Sequence, residues 1–296
     1  MKIRIGVGTG VVAASDAGEF AGLVDDLGTL GFDSIWLPEI LTAPTPDPLV
    51  AMAFASAQNR HLKIGTTMLL PGRNLVRLAK ELATLDVLSE GRLLLTFVPG
   101  LPRGPEVAAV GVAPGDRGAV MDEALPLLRR LFAGETVTHR GDRFDLEKVV
   151  AAPLPLQQPL EFWTGGMAPA ALERCGRLAD GWLPSTCTPD EAARGRVEVE
   201  KAAARAGREI SAEHFGVSLA YSPGPLAAEA RRLVAATRKG VDPDQVIPEG
   251  LEALRWTLER FVSVGFSKFV VRPLVPPPSW RGELEVLADA VLELQT

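Results

Sequence analysis

Cysteine and histidine are scarce in this chain, two and three among 296 residues. Cys175 and Cys187 make no disulfide framework, which suits a reducing compartment and sets the expectation of a cytoplasmic protein. No histidine sits near another histidine or a cysteine at ligand spacing, which argues against a zinc or non-haem iron centre. No run of about 18 apolar residues appears, so no membrane span is expected. The opening MKIRIGVGTG is apolar only in alternation and lacks the layout of a signal peptide. A formal net charge of −6 and the lack of any Lys/Arg block argue against a nucleic-acid partner. Internal repeats and interdomain linkers are absent too, so one domain over 1–296 is expected. The first turn carries no G-x-G-x-x-G, which disfavours a doubly wound dinucleotide-binding sheet.

What the chain does have is hydrophobic mass, 47% of its residues, and a stretch that organises it. Residues 63–100 read as strand, loop, helix, turn and strand. IGTTMLL and LLLTFV are near-continuous apolar runs, as in parallel strands covered on both faces. Between them Asn74 can cap a helix whose leucines at 75, 78, 82, 85 and 88 form one stripe, with Gly91 as its left-handed stop. A helix joining two buried parallel strands is a right-handed βαβ unit.

The same alternation runs through the rest. Ile3–Val7 reads as a strand, followed by a helix from an Asp16-x-x-Glu19 start to Gly31 and a strand SIWLP ending at Glu39. Helices are expected over Leu49–Gln58, Arg117–Phe132, Pro169–Leu178, from Thr188-Pro189, over Glu249–Val264 and over Arg281–Leu294. LEFWT, GWLP, FGVSLAY and KFVVRP supply the remaining strands. Residues 134–159 break the rhythm and read as a hairpin with a proline-rich return, while 222–248 stay unplaced. Eight strands alternating with helices predict a single (β/α)8 TIM barrel with an insertion after strand 4.

Barrel chemistry sits where the C-terminal strand ends meet. Those ends are Thr9, Glu39, Thr67 with Met68, Pro99 to Leu101, Gly165 with Gly166, Ser185 with Thr186, Tyr221 and Arg272. They include no lysine for a Schiff base and no second carboxylate for acid/base or metal work. Such a mouth has little chemistry of its own, so a bound cofactor would have to carry it.

LAKELATLDVLSEGR at 78–92 and FWTGGMAPAALERCGRLADGWLP at 162–184 resemble the two most recognisable runs of the bacterial luciferase-like superfamily. The likeness extends from Gly31-Phe32-Asp33-Ser34-Ile35-Trp36 through nearly the whole chain. It implies an oxidoreductase acting on a small-molecule substrate with coenzyme F420, a deazaflavin, or alternatively with FMN. An FMN enzyme of this kind would be a monooxygenase and would need a reductase or free reduced flavin; a deazaflavin enzyme would move hydride. A non-catalytic cofactor-binding protein is a further alternative. The GG-M-x-P-A-A pattern at 165–171 favours the deazaflavin branch. Many relatives dimerise, which implies a homodimer.

The resemblance also implies a cofactor cleft made by Glu39, Thr67, Met68, Pro99, Gly100, Gly165, Gly166, Met167, Ser185 and Thr186. Gly165-Gly166 would let backbone N–H groups reach the phosphate; a plain tight turn is the alternative. Ser185 and Thr186 would add phosphate contacts, or merely cap a helix. Thr67-Met68 matches a non-prolyl cis peptide that forms a bulge behind the ring; a regular buried strand end is the alternative. Two positions depart from the family. Ile40 stands where a catalytic histidine is usual, and Leu101 where the sugar-phosphate dehydrogenases of the deazaflavin branch place an acid. That leaves Glu39 as a catalytic candidate or a structural ion-pair partner. Arg272 would bind an anionic substrate or cofactor tail, or pair with a nearby acid. Trp36, Trp163 and Trp182 read as core, and His139 as surface.

Overall fold

The structure, a computed structural model, describes residues 1–10, 16–102, 104–238 and 240–296. The chain opens with β1 (Arg4–Gly8), α1 (Ala17–Leu30), β2 (Ser34–Pro38) and α2 (Pro48–Gln58). Asp16 accepts from the Glu19 N–H and Asp47 from those of Leu49 and Val50, so both helices begin where a short acidic side chain satisfies orphan donors. The organising unit follows as β3 (Lys63–Leu69), α3 (Leu75–Leu88) and β4 (Leu93–Val98), with Asn74 accepting from the Arg77 N–H. Next come a short α4 (Glu106–Val110), absent from the sequence reading, and α5 (Arg117–Phe132). The expected hairpin is β5 (Val137–Arg140) with β6 (Asp145–Val149), paired antiparallel. His139 is more than surface there: its Nε2 lies 2.8 Å from Glu123 Oε1, tying the hairpin to α5.

The second half runs β7 (Trp163–Thr164), α6 (Pro169–Leu178), β8 (Gly181–Trp182), α7 (Pro189–Arg205), β9 (Gly216–Tyr221), α8 (Ala228–Thr237), α9 (Gly250–Ser263), β10 (Lys268–Pro273) and α10 (Trp280–Val291). Thr188 and Glu191 form a reciprocal capping box at α7, with Pro189 at its first position. The unplaced stretch is α8 plus a 3₁₀ turn, packed as a small cluster of Leu226, Val234, Val246 and Ile247.

Eight parallel strands pair in the order β8-β7-β4-β3-β2-β1-β10-β9. The two edges meet through isolated parallel bridges, Trp182 to Phe215 and Ser185 to Ser218, so the sheet closes as a TIM barrel. Alternation sends Ile64, Thr66 and Met68 outward to the helices and Gly65 and Thr67 toward the axis. In the lower half the axis is filled by indoles. A Cβ at Gly65 would lie 2.6 Å from Trp36, and one at Gly181 2.4 Å from Trp163, so only glycine lets these rings cross the barrel. They border an inner cavity of ≈ 200 Å³ at the end opposite the mouth. No helix among the described residues is long and apolar enough to cross a membrane.

Candidate active site at the barrel mouth

Gly165 and Gly166 follow β7 and lead into α6. Gly166 has φ 101°, a left-handed conformation that a side chain would strain, and a Cβ on Gly165 would sit 3.0 Å from the Leu183 carbonyl. The Gly166 carbonyl accepts from Trp182 Nε1 at 3.0 Å. Ala168 occupies the N-cap of α6 in extended conformation and offers no side-chain acceptor, and Pro169 removes one donor. The Ala171 N–H is taken by the Ala168 carbonyl at 2.8 Å, which leaves the Ala170 N–H and the positive end of the dipole without an internal anion. Met167, half-buried, packs back against the core. Ser185 and Thr186 lie in the strand-end loop after β8, Thr186 with φ 53°. Neither caps α7, since Thr188 does, which removes capping as their explanation.

Glu39 sits on the rim with its side chain 5% exposed. Its Oε2 accepts from the Leu69 N–H at 2.7 Å, and Oε1 is paired with the Arg73 guanidinium, which also donates to the Leu69 carbonyl at 2.9 Å. The carboxylate thus struts the β2 and β3 ends together, and a proton-transfer role would require breaking one of these bonds. Burial outweighs Arg73 and raises its pKa above the ordinary 4.5. A raised folded pKa gives stability that is full below the unfolded value and is lost as pH rises through the folded one. Glu39→Gln should therefore lack this slope. Urea unfolding of both proteins from acid to neutral pH checks it, and parallel profiles would refute the assignment.

The neighbouring loops are held by polar groups that the sequence reading missed. Glu106, buried, accepts from the Thr42 N–H and Oγ1, each at 2.8 Å. Arg117, also buried, gathers the loop after β4 by donating to the Val112 and Leu101 carbonyls at 2.9 Å and to Pro99 at 3.2 Å. The Pro99–Leu101 backbone is committed to that arginine, with Gly100 at φ 81° making the turn. Thr96, beside Thr67 in register, points its hydroxyl to the axis with no partner among the described residues. It was legible as the lone polar residue within LLLTFV. Its oxygen is sealed from solvent, an interior orphan rather than part of the open mouth.

One expectation is corrected. The cis bonds among the described residues precede Pro153 and Pro159, and Thr67–Met68 is not one of them. β3 stays in unbroken register with β4 through Met68 opposite Phe97 and Leu69 opposite Val98. The Thr67 carbonyl accepts from Glu39 at 2.9 Å and the Leu70 N–H donates to Val98 at 3.2 Å. An extended trans strand satisfies these groups, and a non-prolyl cis bond costs about 3–4 kcal/mol. The Met68 side chain is accordingly in the outer core, leaving Thr67 as the member of the pair that faces inward. Trp182 is fully buried core; Trp36 and Trp163 fill the lower barrel, away from the mouth. No group of three or more His, Cys, Asp or Glu residues able to hold a metal occurs among the described residues.

The glycine pair, the uncapped helix and the two hydroxyl residues fit a phosphate group, and the apolar strand ends beside them suit a flat ring. The model of the luciferase-like monooxygenase family matches residues 1–262. Limonene 1,2-monooxygenase of Rhodococcus erythropolis is 30% identical over 170 residues, 56% of this chain and 44% of that protein. Phthiodiolone/phenolphthiodiolone dimycocerosates ketoreductase of Mycobacterium sp. (strain JLS) is 30% identical over 237 residues, 70% of this chain and 62% of that protein. These matches leave more than a third of each curated relative uncovered. An F420-dependent secondary alcohol dehydrogenase, solved with an F420-acetone adduct, has the same fold, with a TM-score of 0.83 at 20% identity and full coverage of both chains.

Proposed function

Because the chain belongs to the luciferase-like monooxygenase family, whose members are oxidoreductases or monooxygenases, we propose that it works with coenzyme F420 on a small organic substrate. The observation that carries this reading is the uncapped N-terminus of α6 behind Gly165-Gly166, a ready anion site at the barrel mouth. Bound there, the deazaflavin would supply two-electron hydride chemistry that no side chain of the mouth offers. Backbone donors at Gly166, Met167 and Ala168, with Ser185 and Thr186, would hold its phosphate. Thr67 and the ends of β3 and β4 would border its ring. The Glu39–Arg73 and Glu106–Thr42 links keep the loops around it in place. Ile40 and Leu101 bring no titratable group, which leaves Glu39, whose pKa burial raises above the ordinary carboxylate value, as the candidate proton-holding group at the mouth.

FMN with oxygen is the second reading, supported by the monooxygenase among the relatives, because a phosphate cradle does not discriminate between the two rings. Equilibrium titration of the purified protein with F420 and with FMN decides between them. Tighter binding of F420 is expected. Tighter FMN binding moves the protein to the monooxygenase reading, with a reductase as partner, and binding of neither overturns both.

A further inference from the structure

The cations around the mouth differ in what they touch. Arg73 is paired with Glu39, and Arg117 is surrounded by carbonyl acceptors. Arg272, at the end of β10, has no hydrogen bond or ion pair among the described residues. The residues outside that set are Val11, Val12, Ala13, Ala14, Ser15, Arg103 and Lys239, none of them acidic, so the sequence holds no further carboxylate to pair with it. Burial pulls its pKa below the ordinary value with no neighbouring charge to offset it.

The strands beside Arg272 make room for the side chain. A Cβ on Gly8 would lie 3.5 Å from the Arg272 Cβ, and one on Gly10 3.4 Å from Nη1. On its other side the register partner is Ala220. Among the described residues, these small flanks leave the guanidinium fork without a competing group at the strand ends. A half-buried guanidinium with no partner among the described residues costs stability unless a ligand completes it. Its planar donors match a carboxylate two-for-two. One guanidinium with no partner among the described residues balances the single charge of a carboxylate.

We propose that Arg272 is the recognition group for a carboxylate, so that the substrate is a small organic acid. This rests on the oxidoreductase reading above for the word substrate, though not for the anion site. The test is thermal unfolding of the wild-type protein, Arg272→Lys and Arg272→Met with lactate and benzoate, against lactamide and benzamide. Saturable stabilisation by the acids alone is expected in the wild type, weakened by about tenfold in apparent affinity in Arg272→Lys. It should be lost in Arg272→Met. Without ligand, Arg272→Met should melt above the wild type, because a cation without a partner among the described residues is gone. Equal effects of acids and amides, or an acid effect that survives in Arg272→Met, would overturn the proposal. So would a loss of F420 affinity in Arg272→Met, which would assign the arginine to the cofactor. Failure of the oxidoreductase reading shows separately, as wild-type protein that binds neither F420 nor FMN while the acid shift persists.

Discussion

Ala168→Asp should make the protein more stable and nearly unable to bind its cofactor. Ala168 already has the extended backbone of an N-cap, φ −66° and ψ 146°, and no side-chain acceptor for the first turn of α6. An aspartate there would accept from that turn and meet the helix dipole favourably, worth about 1 kcal/mol. The same carboxylate would occupy the place of the phosphate and repel it. An affinity loss of about a hundredfold, or about 2.7 kcal/mol, is expected for F420 or FMN, whichever binds. Ala168→Ser gives the control, since a neutral hydroxyl caps the helix and can still donate to a phosphate. Thermal unfolding and cofactor titration of the three proteins read both effects. If Ala168→Asp binds cofactor as the wild type does, the phosphate site lies elsewhere. Opposite signs in the two measurements would separate a ligand site from a strained turn.

Asp86→Ala should have the largest cost to the fold and none to the chemistry. Asp86 has no exposed surface. Its carboxylate accepts from the Gln157 backbone N–H at 2.8 Å and from the Gln157 amide at 2.6 Å. It pins the proline-rich return after the hairpin to the C-terminal end of α3. Alanine would leave a partly buried N–H and one amide donor unsatisfied, a loss of about 3 kcal/mol. With the entropy of unfolding scaling with chain length, that lowers Tm by about 5 °C. Cofactor affinity should not change, because Asp86 lies at the end of the barrel opposite the mouth. An unchanged Tm would show that Gln157 finds other acceptors, and a changed affinity would show that the two ends are coupled.

That second result bears on what made the sequence recognisable. The run 78–92 is the most distinctive in the chain, yet its polar residues do structural work below the barrel. Arg92 closes helix ends by donating to the Ser89, Asn59 and Ser56 carbonyls at 2.7, 2.9 and 3.0 Å. Ser89 bonds back to the Asp86 carbonyl at 3.2 Å. Asp180, within the other recognisable run, does the same for the second half, accepting from Arg129 and from the Phe162 N–H. A family signature can therefore identify the fold through residues that never meet a ligand.

Local order was legible because its causes are local. Helix starts at Asp16, Asn74 and Thr188 depend on a side chain and an N–H three residues on. Strands appeared as runs buried on both faces, and the hairpin at 137–149 as a break in that rhythm. The glycine pair could be read as an anion site or a turn, and the structure shows the turn and an open helix end together. By itself the sequence determined the order of the eight barrel strands and of most helices between them, with α4 and α8 as the exceptions, and hence the barrel and which strand ends form its mouth. Only the tertiary structure decided that Glu39 is strutted by Arg73, 34 positions away, and that Arg117 commits the Pro99–Leu101 backbone. It also decided that Met68 faces outward and that Arg272 has small flanks and no counter-charge among the described residues. These are properties of barrel closure, which sets register and brings charges together across spans that no periodicity encodes.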